Sequence, residues 1–345
     1  MRKRLLSFLF IVPFLFACSP KKDSRNIELS EHSIVLEPGQ THKFELKNAE
    51  GTVIWGSSIE GIVNIDAETQ TITALKEGRT KVNVMIKPNY SDSCNVAVRC
   101  DSLAPNYALE VATIAHKGYH VEEIENSKEA FIAAGRRNFY GIETDIYQTL
   151  DGHWVCNHDT KIKGMSKQIS ECRLDEIMEV NLSDNPNKVV RVSTFEEYIN
   201  ICSAYNKHPV IEFKMTTNRQ VLEESVIPTL KLYGVLDGVI FISKISDVLG
   251  LLYNIKQENS YGYDLQLLTT GNAWMNVPDI LNVSSEYTAV TAAMVEDCKF
   301  VGQYVAAWTV NDLAIAESLI QMGVKYITTD LFECAEKFID KTLFD

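Results

Sequence analysis

The sequence has few basic residues and few long hydrophobic runs. Its 345 residues include 33 lysines and arginines against 46 aspartates and glutamates, which gives a net charge of −13. Proteins that bind nucleic acids present basic faces to the phosphate backbone, so this balance argues against a nucleic acid as a partner. After residue 17, no apolar run is long enough to cross a bilayer as a helix. Any membrane attachment is therefore expected to come from the N-terminal residues.

Paired cysteines are missing as well. Apart from Cys18, the cysteines are scattered and no two form a Cys-x-x-Cys pair: Cys94, Cys100, Cys156, Cys172, Cys202, Cys298 and Cys334. This pattern fits neither a disulfide framework nor a structural zinc site. We expect most of these residues to be small buried apolar side chains. An exported protein would permit a bridge between Cys94 and Cys100, but nothing in the sequence requires one.

The first eighteen residues have the pattern of a bacterial lipoprotein leader. Basic residues at 2–4 precede an apolar run at 5–17, and Cys18 follows at once. The run has the length of a signal-peptide core, and residues 15–18 resemble a lipobox, whose cysteine becomes the lipidated first residue. We expect a signal peptide over 1–17, a lipidated tether over 18–26, and a cell-envelope lipoprotein at the outer membrane or periplasmic face. The alternative is an ordinary secretory signal.

Residues 27–100 consist of short alternating strands separated by turns. Glu37-Pro38-Gly39-Gln40 is a turn signal, and the spacing of the strands predicts a small β-sandwich. The segments LEPGQT, WGSS, IVNID and ITALKEGRTKVNV resemble the bacterial group 2 immunoglobulin-like domain. No residue in this segment suggests chemistry. We expect a spacer, with adhesion to an envelope or surface partner as the alternative.

Residues 107–345 alternate apolar β-rich runs with helical segments. The predicted strands lie near 111–118, 140–146, 209–214, 238–243, 264–268, 289–293, 304–310 and 326–330. The predicted helices lie near 126–138, 193–206, 219–233, 246–257, 273–285, 294–302, 311–322 and 331–342. Eight parallel strands, each followed by a helix, predict an α/β fold of the (β/α)₈ TIM-barrel type. An open doubly wound sheet is the alternative.

Polar residues gather at the ends of the second and third predicted strands. Side chains two residues apart on a strand share a face, so Glu143 points with Asp145, and Glu212 points with Lys214. In a barrel, that face can be the interior near the mouth. Three converging carboxylates need a cation, and ligands that are all oxygen favour Mg²⁺ or Ca²⁺ over zinc.

A hairpin is predicted beyond the second strand. Asp151-Gly152 is a signal for a type I′ turn, so the chain would return antiparallel and carry His158 towards Glu143 and Asp145. Before the first predicted helix, Asn126 and Glu129 fit a helix-capping box, and we expect a structural role for them.

An ordered set of motifs runs through this second segment. In chain order they read HKG, ENSKEAF, GIETDIYQTLDGHWVCNHD, VIEFK, VAAWTVND and GVKYITTD. They resemble the signature of the glycerophosphodiester phosphodiesterase family over about residues 110 to 340. The combination is far more specific than any single motif. The resemblance implies a metal-dependent barrel enzyme that hydrolyses small-molecule glycerophosphodiesters to glycerol 3-phosphate and an alcohol.

The resemblance also implies a role for each of eight residues. Two histidines match the family's general acid and base, three carboxylates match its metal ligands, and three further residues match substrate-binding positions. In that order they are His116 and His158; Glu143, Asp145 and Glu212; and Lys117, Lys214 and Trp308. Imidazole suits proton transfer because its pKa lies close to working pH. The first nucleophile, water or the substrate's own glycerol hydroxyl, stays open.

Three departures from the family pattern bear on the substrate. Lys117 stands where the family has arginine, which keeps the charge but loses the bidentate contact with phosphate. The loops 160–192 and 243–260 also differ, so a different head-group preference can lie there. One alternative is a phospholipase C-like or sphingomyelinase D-like enzyme that acts on intact phospholipids. An alternative of another class is an inactive binding or adhesion lipoprotein.

Overall fold

The computed structural model describes residues 26–86, 90–100, 103 and 107–338. The predicted signal peptide, the lipidation of Cys18 and nearly all of the predicted tether lie outside the described residues. Across the described part of the chain, no helix has both the length and the apolar character needed to cross a membrane.

The N-terminal part is all β. Its strands are Glu28–Leu29, Ser33–Leu36, Thr41–Lys43, Leu46–Lys47, Val53–Ser57, Val63–Asp66, Thr71–Ala74, Gly78–Ile86 and Tyr90–Val98. A four-stranded and a three-stranded sheet form, together with a separate strand pair, and their apolar side chains make one core around Phe44, Ile72 and Val96. The predicted turn is present, because the Gln40 amide donates to the Glu37 carbonyl at 2.9 Å and Gly39 has a φ of +88°.

The C-terminal part is a closed barrel of parallel strands. In chain order they are Ala112–Ala115, Gly141–Gln148, His208–Phe213, Ile240–Ser243, Asp264–Thr269, Asn282–Glu286, Val305–Trp308 and Tyr326–Thr329. Each pairs with the next, and the first strand pairs with both the second and the last, which closes the sheet. The predicted (β/α)₈ barrel is therefore confirmed, and the open doubly wound sheet was the wrong alternative.

Helices cover the outside of the barrel. The α-helices are Lys128–Gly135, Leu174–Met178, Phe195–Ala204, Arg219–Val221, Ile227–Leu232, Ser246–Asn259, Ala292–Phe300 and Leu313–Met322, with a π-helical stretch at Leu222–Val226 joining two of them. Short 3₁₀ turns occupy Ile169–Glu171, Leu236–Gly238, Gly271–Asn276, Tyr287–Ala289 and Glu336–Phe338. Most predicted helices are present within a few residues of their predicted ends.

The fifth predicted helix and the sixth predicted strand are wrong. The expected helix 273–285 is instead a 3₁₀ turn at Gly271–Asn276 followed by the sixth strand at Asn282–Glu286. The expected strand 289–293 is where the next helix begins, because the Thr291 side chain accepts from the Met294 amide and caps it. The strand was missed since its sequence, NVSSE, is polar, although Ser284 and Ser285 are buried.

The last predicted helix, 331–342, was also wrong where the chain is described. Glu333–Cys334 form a short strand that pairs in parallel with Ala108–Leu109, and a 3₁₀ turn follows at Glu336–Phe338. The remaining predicted residues of this helix, 339–342, lie outside the described residues. All seven described cysteines are free thiols, so Cys94 and Cys100 form no bridge here.

Alternation along the second and third strands points the acidic residues inward. Glu143 is level with Val210, and Asp145 is level with Glu212. Val210 belongs to the small cluster inside the barrel, whereas Ile142 and Ile146 belong to the large core under the helices. Glu143, Asp145 and Glu212 therefore share the interior face of the barrel, as predicted.

The β-rich part contacts the barrel through a buried acid. Glu77 forms an ion pair with Arg136 and accepts a hydrogen bond from the Tyr205 hydroxyl at 2.8 Å, and its side chain is 7% exposed. The Arg99 guanidinium donates to the Ala204 carbonyl at 3.1 Å. Arg136 and Tyr205 follow the C-terminal ends of two barrel helices. Because barrel helices run antiparallel to the strands, this contact lies at the end of the barrel opposite the mouth.

Candidate active site

Three carboxylates converge at the mouth of the barrel. Glu143 and Asp145 come from the second strand and Glu212 from the third, and one carboxylate oxygen from each lies within 4.8 Å of the others. Glu143 and Asp145 are 2% and 1% exposed. This is the set that the sequence predicted as metal ligands.

Backbone geometry at the end of the first strand fixes Glu143. The Lys117 amide donates to Glu143 Oε2 at 2.7 Å, and Lys117 holds a left-handed φ of +53°. A non-glycine residue in this region is uncommon and tends to occur where function fixes the backbone. Gly118 follows at φ +78°, where a Cβ would lie 2.7 Å from the Ala130 backbone, so glycine is required there.

Asn126 fixes Asp145, and this corrects the predicted capping box. The side-chain Nδ2 of Asn126 donates to Asp145 Oδ2 at 2.9 Å, and its side-chain Oδ1 accepts from the Thr144 hydroxyl at 2.7 Å. The helix is capped instead by Ser127, whose side chain accepts from the Ala130 amide. Asn126 is thus a buried partner of a predicted metal ligand. The spacing of Asn126 and Glu129 matches a capping box, but the N-cap residue of the helix is the next one, Ser127.

The carboxylates are electrostatically crowded. Burial, followed by the charges of Asp145 and Glu212, holds the pKa of Glu143 well above its usual range. Burial and the charge of Asp145 also raise the pKa of Glu212. Lys214 lies 3.4 Å from Asp145 and 3.1 Å from Glu212 and balances part of the charge. The oxygen-only set, its burial and its excess negative charge fit a hard divalent cation.

The predicted hairpin delivers His158. Residues 146–148 pair antiparallel with Trp154–Cys156. The turn is not type I′, because Thr149 pairs with His153 across three residues and only Gly152 of these three has a positive φ, +87°. This matches a type I turn followed by a left-handed glycine. His158 Nδ1 lies 2.9 Å from Asp159 Oδ1, and the ring is 44% exposed at the mouth.

A carboxylate orients His116. Its Nδ1 lies 2.9 Å from Asp330 Oδ1. Asn311 donates to the other oxygen of Asp330 and accepts from the Asp330 amide at 2.9 Å. Burial opposes the charge on Asp330, but hydrogen bonds from His116, His120 and Asn311 hold its pKa far below the usual range. An ionised acceptor at Nδ1 assigns the proton to that nitrogen and leaves Nε2 unprotonated in the neutral ring.

One cavity of about 200 Å³ collects all eight predicted residues. Its lining consists of His116, Lys117, Glu143, Asp145, His158, Glu212, Lys214, Ile242, Lys244, Leu268, Ser284, Trp308, Thr309 and Thr328. The Trp308 indole donates to the Ser284 carbonyl at 3.1 Å, which fixes it as a wall of the cavity. The Lys117 ammonium forms an ion pair with Glu125 at 3.1 Å. The cavity therefore combines acid, base, cation-binding and hydroxyl groups.

Sequence reasoning missed several residues of this site. Asn126 and Asn311 each hold a carboxylate, and His120 contacts Asp330 at 2.9 Å. Lys244 reaches the cavity from the fourth strand, with its ammonium 5.6 Å from the Trp308 ring. These contacts join residues far apart in sequence, so no local pattern could reveal them.

The comparisons with known proteins agree on one family. The model of the glycerophosphoryl diester phosphodiesterase family matches residues 116–333. A glycerophosphodiester phosphodiesterase from Caldanaerobacter subterraneus is 26% identical over 241 residues, which cover 64% of this chain and 95% of that protein. The family match begins at residue 116, and the immunoglobulin-like identity of the β-rich part stays a prediction.

Solved structures share the barrel. A glycerophosphodiester phosphodiesterase from Parabacteroides distasonis is 26% identical, with a TM-score of 0.55 over 65% of this chain and 94% of that one. A phosphodiesterase from Oleispira antarctica, solved with sn-glycerol-3-phosphate, is 21% identical, with a TM-score of 0.55 over 63% and 92% of the two chains. The second likeness supports the fold alone.

Proposed function

Because the chain belongs to the glycerophosphoryl diester phosphodiesterase family, we propose that it hydrolyses glycerophosphodiesters to glycerol 3-phosphate and an alcohol. One observation carries the proposal: two histidines, each beside an aspartate, line the same cavity as three converging carboxylates. Two relatives that are named glycerophosphodiester phosphodiesterases support this substrate class.

Glu143, Asp145 and Glu212 would hold a divalent cation, Mg²⁺ or Ca²⁺. When bound, such a cation neutralises the phosphate and polarises its oxygens. Lys214 already neighbours Asp145 and Glu212, so its ammonium would contribute to the same charge balance at the phosphate. Lys117 and Lys244 line the cavity as further cations.

The two histidines would move the protons. His116, oriented by Asp330, presents Nε2 to the cavity in its neutral form and would accept or donate a proton there. His158 follows the hairpin, with Asp159 beside its Nδ1, and would carry out the other of the two proton transfers. One imidazole takes the proton of the attacking hydroxyl while the other protonates the departing alkoxide. Trp308, Ser284, Thr309 and Thr328 would enclose the glycerol.

The test is a substrate panel. The purified protein, with Mg²⁺ or Ca²⁺, is offered glycerophosphocholine, glycerophosphoethanolamine and glycerophosphoglycerol, and release of glycerol 3-phosphate is measured. We expect turnover of at least one diester, and a loss of about 10² to 10⁴ in kcat for His158→Ala. His153→Ala, on the exposed hairpin turn, is the matched control and retains activity. Absence of turnover with every diester and both cations would overturn the proposal.

A second candidate is cleavage of intact phospholipids, and one observation favours it. Loops that follow the first, fifth and eighth barrel strands, and so lie at the mouth, expose Val121, Met275 and Leu331 by 53%, 65% and 43%. Apolar side chains in such loops suit contact with a lipid surface. The panel therefore includes phosphatidylinositol and sphingomyelin vesicles. Faster turnover of these than of the deacylated diesters would favour this candidate.

We also propose that the protein is an envelope lipoprotein anchored at Cys18. The leader pattern and its cysteine support this location. Labelling with a radioactive fatty acid in a bacterial host tests it, with Cys18→Ser as the control that should lose the label. If no diester or phospholipid is cut, the remaining candidate is an adhesion role for the β-rich part, with an inactive barrel.

A further inference from the structure

A third histidine lies beside the proposed active site without lining its cavity. His120 Nε2 is 2.9 Å from Asp330 Oδ1, the same oxygen that lies 2.9 Å from His116 Nδ1. The two imidazole rings are 6.2 Å apart, centroid to centroid, in an edge-on arrangement. A single carboxylate oxygen thus serves two histidines, while Asn311 occupies the other oxygen.

The surroundings of His120 are mixed in charge. Asp330 and Glu125 are negative neighbours, Lys117 is a positive one, and His116 is the other imidazole at the carboxylate. The hydrogen bond that His120 donates to Asp330 is the largest influence and raises the pKa of His120, whereas the partial burial of His120 opposes its charge. His120 therefore carries its proton over a wider pH range than an isolated histidine.

We propose that His120 is a positioning residue that acts through Asp330, and that it sets the lower end of the pH range in which His116 can accept a proton. This inference rests on the proposed function, in which His116 transfers a proton. A protonated His120 partly neutralises the negative charge of Asp330 and places a positive charge in a ring whose centroid is 6.2 Å from that of His116. Both effects oppose a positive charge on the His116 ring.

The experiment follows the histidines by NMR in protein labelled at the imidazole carbons, with Mg²⁺ present. Spectra of His116→Gln and His120→Gln assign the two resonances. In His120→Gln, which keeps a donor but removes the charge, the titration midpoint of the His116 resonance should rise by about one pH unit. His153→Gln is the matched control and should leave the midpoint unchanged. An unchanged midpoint in His120→Gln would overturn the inference.

A kinetic readout separates this inference from the proposed function. The acidic limb of the kcat/KM profile should move upward in His120→Gln, by the same amount as the NMR midpoint. A limb that stays in place while the midpoint moves would show that His120 does not act on the reaction. Complete inactivity of the unaltered protein would refute the proposed function, while the NMR midpoints would still decide the coupling.

A second variant keeps the inference testable if His120→Gln does not fold. Asp330→Asn removes the shared carboxylate and should lower the titration midpoint of His120 towards its ordinary value. A midpoint of His120 that is the same with and without the Asp330 carboxylate would contradict the shared arrangement.

Discussion

At the scale of single residues, the barrel mouth holds more buried negative charge than its described neighbours neutralise. Among the described residues, the Lys214 ammonium forms ion pairs with Asp145 and Glu212, and the charge of Lys117 offsets only part of the effect of burial on Glu143. The raised pKa of Glu143 expresses this excess, and burial is its largest cause. A carboxyl group whose pKa is raised by folding contributes stability below its ordinary pKa and loses it as pH rises through the folded value.

Replacing Glu143 should therefore stabilise the metal-free protein at alkaline pH. In Glu143→Gln, with no cation added, the free energy of unfolding at pH 8 should rise by about 1–3 kcal/mol, because a buried charge is removed. The gain should shrink towards pH 4, where the native carboxyl is protonated. Urea denaturation across pH measures both, and Glu122→Gln, an exposed acid at the mouth, serves as the control. A destabilised Glu143→Gln at pH 8 would contradict the crowding.

Asn126 should matter for cation affinity rather than for helix formation. Asn126→Gly removes the amide that holds Asp145 while tolerating the φ of +56°, and it should weaken Mg²⁺ or Ca²⁺ binding about 10–100-fold. Ser127→Ala removes the true helix cap and should lower stability by about 1 kcal/mol without changing affinity. Calorimetric titration of the two variants tells the roles apart. Equal cation affinity in both would reject the role of Asn126.

At the scale of elements, the hairpin connects local sequence with the site. Its strands and the position of His158 were predictable, because alternation and a turn signal lie within a few residues of one another. The turn type was not, since a three-residue loop and a two-residue loop can both use Asp-Gly. The sixth barrel strand was missed for another reason. Its Ser284 and Ser285 are buried because the strand pairs on both sides with strands that are distant in sequence, and no local pattern indicates that pairing.

The hairpin turn depends on its glycine. Gly152→Ala places a side chain at φ +87°, which should lower the free energy of unfolding by about 1 kcal/mol and reduce kcat by displacing His158. Gly250→Ala is the matched control, because this helical glycine has ordinary backbone angles and open space around it. That variant should be more stable by about 0.5–1 kcal/mol. Denaturation and kcat of both variants check the prediction, and an unaffected Gly152→Ala would contradict it.

At the scale of the whole molecule, the β-rich part is bound to the end of the barrel away from the mouth. Glu77, Arg136 and Tyr205 form the centre of this contact. The sequence predicted both folds, because alternation and strand–helix order are local patterns. The contact between them joins residues 77 and 205, which only the folded chain brings together. The barrel mouth is left open to substrate by this arrangement.

Loss of the Glu77 carboxylate should weaken the contact that couples unfolding of the two parts. Glu77→Ala leaves the Arg136 guanidinium without its partner, and we expect a loss of about 1–3 kcal/mol, reduced from the value for a fully buried pair by the exposure of Arg136. Trp55 lies in the β-rich part, whereas Trp154, Trp274 and Trp308 lie in the barrel, so Trp→Phe backgrounds that keep either Trp55 or the three barrel tryptophans report on the two parts separately. Their fluorescence transitions should coincide where Glu77 is kept and separate in the variant. Glu60→Ala, an exposed acid, is the control, and coincident, unshifted transitions in Glu77→Ala would contradict the coupling.

We propose that the three carboxylates hold a cation that the hydrolysis requires. The most direct measurement removes metal from the purified protein and then follows calorimetric binding of Mg²⁺ or Ca²⁺ and release of glycerol 3-phosphate in the same titration. We expect that one cation binds per chain, that activity rises in proportion to occupancy, and that Glu143→Gln loses both. Full activity in the metal-free protein, or cation binding that is unchanged in Glu143→Gln, would contradict it.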